Sequence, residues 1–187
     1  LQDVAIHLVL IERRPQSWLG IPIGDHIGPT RSYFDGLVAR ERARPWPELV
    51  ERVRFGPTRG PLAHAGFRNH MMFREYTVHA EDVRRANDRA APEVTPAIEE
   101  ATWKKAQAFG RFVHTDKSHG LELATPDGRR HQVRGGSPTA RISGEPLELL
   151  LYEFGRTAVT VELEGDPAAV AGVSVRSGGP AALPRVR

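Results

Sequence analysis

The sequence predicts an α+β fold with a helical N-terminal part and a smaller, strand-rich C-terminal part. Up to about residue 110, apolar residues recur every three or four positions, which is the period of a helix. After Gly110 the pattern changes to alternation, and residues 121–125 lead into the turn sequence Pro126-Asp127-Gly128. We therefore expect a first domain at residues 1–110, a second at residues 111–175 and a tail at residues 176–187.

Proline- and glycine-containing stretches, such as the loop at residues 15–30, bound each predicted helix of the first domain. These helices cover residues 1–14, 31–44, 48–55, 66–86 and 97–109. In the second domain, Pro146 and Gly155 bracket a helix, with proline in its first turn and glycine after its end. The predicted strands there cover residues 121–125, 130–134, 139–143 and 157–164, and a short helix covers residues 168–170.

Composition excludes several classes of protein. The 187 residues contain no cysteine, which excludes a disulfide scaffold, a cysteine zinc site and a cysteine nucleophile, and favours the cytoplasm. No run of eighteen apolar residues exists, so we expect no membrane span. The net charge of +3 comes from arginines scattered in pairs, and this pattern does not favour a nucleic-acid partner. The sequence leaves monomer and homodimer open.

The helix at residues 66–86 carries a carboxylate and an imidazole on one face. Glu75 and His79 lie four residues apart, and the same face continues through the apolar Met72 and Val83. Such groups are costly to bury unless something satisfies them. They could form a Glu–His hydrogen bond or ion pair, or they could be two ligands of a divalent metal ion. The spacing alone favours the ordinary polar contact.

The remaining histidines give weaker signals. His7 lies on the apolar side of the first helix, where a lone histidine is more often a core residue than a ligand. His70 precedes His79 by nine residues, about half a turn off its face, which argues against a shared site. The histidines expected at the surface are His26, His114, His119 and His131.

Three segments together resemble one family. They are Asp3-Val4-Ala5-Ile6-His7-Leu8-Val9 with Glu12-Arg13-Arg14-Pro15, then residues 75–85, and finally Gly144-Glu145-Pro146 with Leu149-Leu150-Leu151, Gly155-Arg156 and residues 163–166. They resemble the DinB-like metalloproteins and, more narrowly, actinobacterial relatives of the mycothiol-dependent maleylpyruvate isomerases. The C-terminal part resembles a small, sterol-carrier-like α+β domain.

The resemblance implies a DinB-like four-helix bundle that holds a divalent metal ion, usually zinc, through His7, Glu75 and His79. Three protein ligands leave a coordination position open, as in catalytic zinc sites. The same ligand set also accepts Ni²⁺ or Fe²⁺. In the family one more bundle helix precedes the helix of the first ligand, and we expect that helix to precede Leu1.

The resemblance further implies a metal-dependent transferase or isomerase that uses a low-molecular-weight thiol, such as mycothiol, on a small electrophile. A protein without cysteine can perform thiol chemistry only with a borrowed thiol. Asp82 is expected either to orient a ligand imidazole or to form a salt bridge with Arg85 or Arg14. Arg156 either clamps a carboxylate of cofactor or substrate or forms a surface ion pair. The alternative function is a non-catalytic, metal-containing module that binds a ligand or partner.

Overall fold

The computed structural model describes residues 1–13, 28–114 and 116–173, which divide into two compact units. The first unit begins at Leu1 and ends at Arg89, and the second begins at Ala90. Most of the loop expected at residues 15–30, with Arg14 and His26, lies outside the described residues, as does the expected tail. Within the described ranges, no helix is both long and apolar enough to cross a membrane.

The first unit contains helices α1 (Gln2–Arg13), α2 (Gly28–Arg42), α3 (Trp46–Phe55) and α4 (Ala65–Ala86), with a 3₁₀ turn at Pro61–Ala63. Residues 5–12 of α1 are buried on every side of the helix, which is typical of a helix enclosed by others. One side of α1 packs on α2 and α3, and the other side packs on α4. The buried apolar side chains between α1 and α4 are Leu8, Ile11 and Met72.

Two arginines from α1 and α4 bind the carboxyl end of α3. Arg13 donates to the carbonyl of Gly56, and Arg68 donates to that of Phe55 at 2.6 Å. Positive charge is favourable at this end of a helix, where carbonyl groups lack partners within the helix. Gly56 has a φ of 65°, and a Cβ there would meet the Arg68 guanidinium. Through these two hydrogen bonds, α1 and α4 both contact the carboxyl end of α3.

The second unit contains helix α5 (Pro96–Val113), strands β1 (Gly120–Ala124), β2 (Arg130–Arg134) and β3 (Thr139–Ser143), helix α6 (Pro146–Glu153), strand β4 (Glu162–Gly165) and helix α7 (Pro167–Gly172). The strands form one sheet in the order β2-β1-β3-β4. The β1–β2 and β3–β4 pairs are antiparallel, and the β1–β3 pair is parallel. The predicted α+β class is confirmed.

The sheet has one apolar face and one charged face. Leu121 and Leu123 lie opposite Ala140 and Ile142 in the parallel register, and all four are fully buried. Across the other face, Arg141 pairs with Glu122 at 2.6 Å and with Glu164 at 3.6 Å. The alternation predicted for β1 and β3 therefore separates a core from a solvated surface.

The boundary between the units and the start of the last strand are the two largest differences from the expected boundaries. The units divide between residues 89 and 90 rather than at residue 110, because α5 packs on α6 and β2 within the second unit. The rings of Phe109 and Phe154, for example, lie 4.5 Å apart. Strand β4 begins at Glu162 rather than at residue 157, and the amide of Thr160 donates to the Glu148 carboxylate instead of a neighbouring strand.

Candidate metal centre

Three buried side chains converge between α1 and α4. Nε2 of His7 lies 3.3 Å from Oε2 of Glu75, and Nε2 of His79 lies 3.8 Å from the same oxygen. One ligand atom from each side chain lies within 4.8 Å of the others. Among the residues that the structure describes, this is the one group of three or more such side chains that could hold a metal ion.

The local sequence explains how two of these donors share a face. Glu75 and His79 stand one turn apart on α4, whose 22 residues run without a glycine or proline after Gly66. His7 reaches them from α1 across an interface that Met72 fills. The rings of His7 and His79 meet edge to face, with centroids 4.9 Å apart. The cluster therefore combines local helical spacing with one long-range helix contact.

The electrostatics keep the carboxylate ionised. Burial by itself raises the pKa of Glu75, but the hydrogen bond with His7 and the charges of His7, His79 and Arg74 lower it by more. The net effect is a Glu75 pKa below its ordinary value. A carboxylate must be deprotonated to bind a metal ion, so Glu75 is ready to do so at neutral pH.

The donor set fits a divalent metal ion. Zinc bonds of about 2.0–2.2 Å place neighbouring ligand atoms of a tetrahedron about 3.3–3.6 Å apart. The separations of 3.3 and 3.8 Å at Glu75 are close to that requirement. Two imidazole nitrogens and one carboxylate oxygen form a set that zinc accepts with one position left open. Nickel and ferrous iron accept the same set.

The two acidic residues after His79 contact different partners. Oδ2 of Asp82 lies 3.0 Å from Nδ1 of His79, so the structure places this carboxylate against a candidate ligand. Glu81 instead accepts two hydrogen bonds from Arg84, at 2.8 Å each, and one from Arg85 at 3.0 Å. The hydrogen bonds from Arg84 and then Arg85 lower the pKa of Glu81 despite its burial. Asp82 therefore contacts the histidine cluster, whereas Glu81 is held by the two arginines.

A polar pair that the sequence did not reveal, made of a half-buried tyrosine and a buried carboxylate, lies on the same two helices. Tyr76, next to Glu75, donates a hydrogen bond to the carboxylate of Glu12 on α1. Burial raises the pKa of Glu12 by more than Tyr76, Arg68 and Arg13 lower it. The available signal was an acidic residue, Glu12, directly after a stretch of α1 that is apolar from Val4 to Ile11 except for His7. The pair adds a second polar contact between the helices that carry the three donors.

The other predicted site residue, Arg156, lies in the second unit. Its guanidinium donates to the carbonyl of Phe154 at 2.7 Å and lies 5.9 Å from the centre of that ring. Its role as a carboxylate clamp stays a prediction. The surface positions expected for His114 and His119 were wrong, because both side chains are buried, while His131 is half-buried.

No protein-family profile, curated protein or solved structure matches the chain. The functional argument therefore rests on the geometry and chemistry of the cluster formed by His7, Glu75 and His79.

Proposed function

We propose that the protein binds one divalent metal ion, zinc in the first instance, through His7, Glu75 and His79. The observation that carries this proposal is the convergence of three buried ligand atoms within 4.8 Å. Burying a carboxylate and two imidazoles costs free energy unless their polar atoms are satisfied. A metal ion satisfies all three atoms at once, which a hydrogen bond between any two of them does not.

The proposed activity is the activation of a low-molecular-weight thiol, such as mycothiol, for transfer to a small electrophile or for its isomerisation. A bound divalent ion supplies the chemistry by lowering the pKa of a thiol in the open position. Glu75 and the two histidines hold the ion and leave that position vacant. The absence of cysteine from the sequence supports a thiol that comes from outside the chain.

The resemblance of the chain to mycothiol-dependent maleylpyruvate isomerase-like proteins supports the same proposal. The order of the donors along the chain, a histidine followed by Glu75 and His79 on one later helix, is the order that this resemblance implies. The proposal accordingly includes a DinB-like bundle for the first unit and a sterol-carrier-like fold for the second. It also retains a cytoplasmic location and Arg156 as a carboxylate clamp.

A non-catalytic, metal-containing binding module is the second candidate. The observation that favours it is the low exposure of the donor side chains, which is 5% for His7, 7% for Glu75 and 11% for His79. A metal ion with so little contact with solvent suits a structural role. In this candidate the ligand or partner binds elsewhere on the chain.

Metal analysis tests the metal centre. Wild-type protein, purified without a metal-affinity tag and loaded with zinc, should retain about one ion per chain after dialysis. His79→Ala and Glu75→Ala should lose it, because each removes one of three ligands. His119→Ala is the matched control, since His119 is a buried histidine of the second unit. The metal centre is rejected if the wild type binds no ion.

Thermal unfolding then separates the two candidates. Mycothiol should raise the midpoint of zinc-loaded wild type but not that of His79→Ala, because ligands that bind only the folded state stabilise it. If zinc binds and mycothiol causes no shift, the binding module is the better description.

A further inference from the structure

The two histidines of the cluster differ in how their ring nitrogens are held. In His79, Nδ1 lies 3.0 Å from the carboxylate of Asp82, and Nε2 points towards Oε2 of Glu75 at 3.8 Å. In His7, it is Nε2 that lies 3.3 Å from Glu75. In His7, the nitrogen that would bind the ion is therefore Nε2, which is also the one hydrogen-bonded to a carboxylate. In His79 the two roles are divided, because Nε2 would bind the ion and Nδ1 contacts Asp82.

We infer that Asp82 is a positioning residue that prepares His79 for the metal ion. A neutral imidazole carries one proton, and an ionised carboxylate can only accept a hydrogen bond. The short contact with Asp82 therefore places the proton on Nδ1 and directs the lone pair of Nε2 towards Glu75 and His7. This inference rests on the proposed function, because it assigns Asp82 a role in the same centre.

His7 behaves differently. Its Nε2 faces the Glu75 carboxylate at hydrogen-bonding distance, so in the metal-free protein this nitrogen carries the proton. Binding an ion requires that proton to leave Nε2. The centre thus contains one imidazole whose tautomer is already suitable and one whose tautomer must change.

Of the two acidic residues that follow His79 on α4, Asp82 is the one placed to orient its ring. Glu81, the adjacent acid, is engaged by Arg84 and Arg85 on the same helix. The side chain of Asp82 is 30% exposed, compared with 11% for His79, so it lies on the more solvated side of the cluster. Because Asp82 is not part of the core, its truncation should alter the histidine without creating a buried cavity.

The first measurement uses metal-free protein and needs no activity. Nitrogen-15 spectra of the histidine rings, recorded at a pH where the rings are neutral, report which nitrogen carries the proton. His79 should be protonated at Nδ1 in wild type and should become a mixture of tautomers in Asp82→Ala. His7 should be protonated at Nε2 in both proteins. The His79→Ala and His7→Ala spectra assign the two signals.

The second measurement is zinc affinity. Asp82→Ala should bind zinc about 10–100-fold more weakly than wild type, the usual effect of losing a carboxylate behind a ligand histidine. Asp82→Asn keeps an acceptor oxygen and should lose less. Asp3→Ala is the matched control, because Asp3 is an exposed carboxylate one turn before His7 that contacts Arg42 at 2.6 Å. The control should change affinity by less than about threefold, since exposed charges are screened.

Two results overturn the inference. The first is a nitrogen-15 spectrum in which neutral His79 carries its proton on Nε2 in wild type, or in which its tautomer is the same in wild type and in Asp82→Ala. The other is an Asp82→Ala variant that binds zinc as tightly as Asp3→Ala does. If wild type binds no zinc, the proposed function fails, while the metal-free spectra still decide what Asp82 does to His79.

Discussion

Both units bury ionisable side chains, but in the described residues their ligand atoms converge only in the first unit. There, His7, Glu75 and His79 direct one atom each to a common position. The second unit buries His114, His119 and Glu153 at least as deeply. The comparison shows that burial of an ionisable group is not by itself evidence of a candidate metal site, whereas convergence of donor atoms is.

Each of the three buried groups of the second unit lies against a different neighbour. The His114 ring stacks on Tyr152, with centroids 6.4 Å apart. His119 lies under α7 at Gly172, where a Cβ would come within 3.0 Å of the ring. The carboxylate of Glu153 lies against Gly110, where a Cβ would come within 2.5 Å of its Oε1. These are local packing contacts, whereas the α1–α4 interface brings three possible metal ligands together.

The largest expected effect comes from truncating a core side chain, and it should affect zinc affinity in the first unit but not in the second. Met72→Ala removes a fully buried side chain that packs between Leu8 and Ile11 of α1. It should destabilise the first unit by about 2–5 kcal/mol. Because α1 carries His7 and α4 carries the other two donors, zinc affinity should also fall by about tenfold, or about 1.4 kcal/mol. Amide hydrogen exchange and zinc titration measure the two effects.

Leu149→Ala is the matched core variant of the second unit, where Leu149 is also fully buried. It should cost a similar free energy of unfolding and leave zinc affinity unchanged within about twofold. Equal losses of zinc affinity in the two variants would show that the centre responds to general destabilisation. The distinction between the α1–α4 interface and the second core would then be wrong.

The spacing along the sequence predicted that Glu75 and His79 share a helix face. His7 was assigned to the same cluster only by the family resemblance. The four-residue spacing of Glu75 and His79 on one helix is local and can be recognised from the period. The approach of His7 depends on how α1 packs on α4, and periodicity does not encode which helices pair. The same limit explains α5, whose apolar face was recognised but whose partners, α6 and β2, were not.

The histidines of the second unit show a related limit. His114 and His119 flank a short polar stretch of the sequence, and both were expected at the surface. Their burial comes from Tyr152 on α6 and Gly172 on α7, which are distant in the sequence. Burial by elements that are distant in the sequence leaves no local signal in the residues that become buried.

A smaller effect concerns glycines within helices. Gly110→Ala in α5 should destabilise the second unit by about 1–2 kcal/mol, because its Cβ would lie 2.5 Å from Oε1 of the buried Glu153. Gly36→Ala in α2 is the matched variant, with no atom within 4 Å of its Cβ. It should stabilise the first unit by about 0.5–1 kcal/mol, the ordinary helical preference for alanine. Chemical denaturation measures the change in the free energy of unfolding for each variant. A Gly110→Ala variant more stable than wild type would refute the close packing of Glu153 against Gly110.

The smallest expected effect is a pH dependence at the surface of the second unit. Hydrogen bonds from Thr125 and then Arg129 lower the pKa of Asp127 to about 2. A carboxylate whose pKa is lower in the folded state stabilises the fold above its unfolded pKa of about 3.9, and that contribution is lost as the pH falls through 2. The melting temperature of wild type should therefore exceed that of Asp127→Asn at pH 6, and the difference should shrink towards pH 2. Because the group is exposed, added salt should reduce the difference. A difference that stays constant with pH would show that the ionised carboxylate does not stabilise this turn.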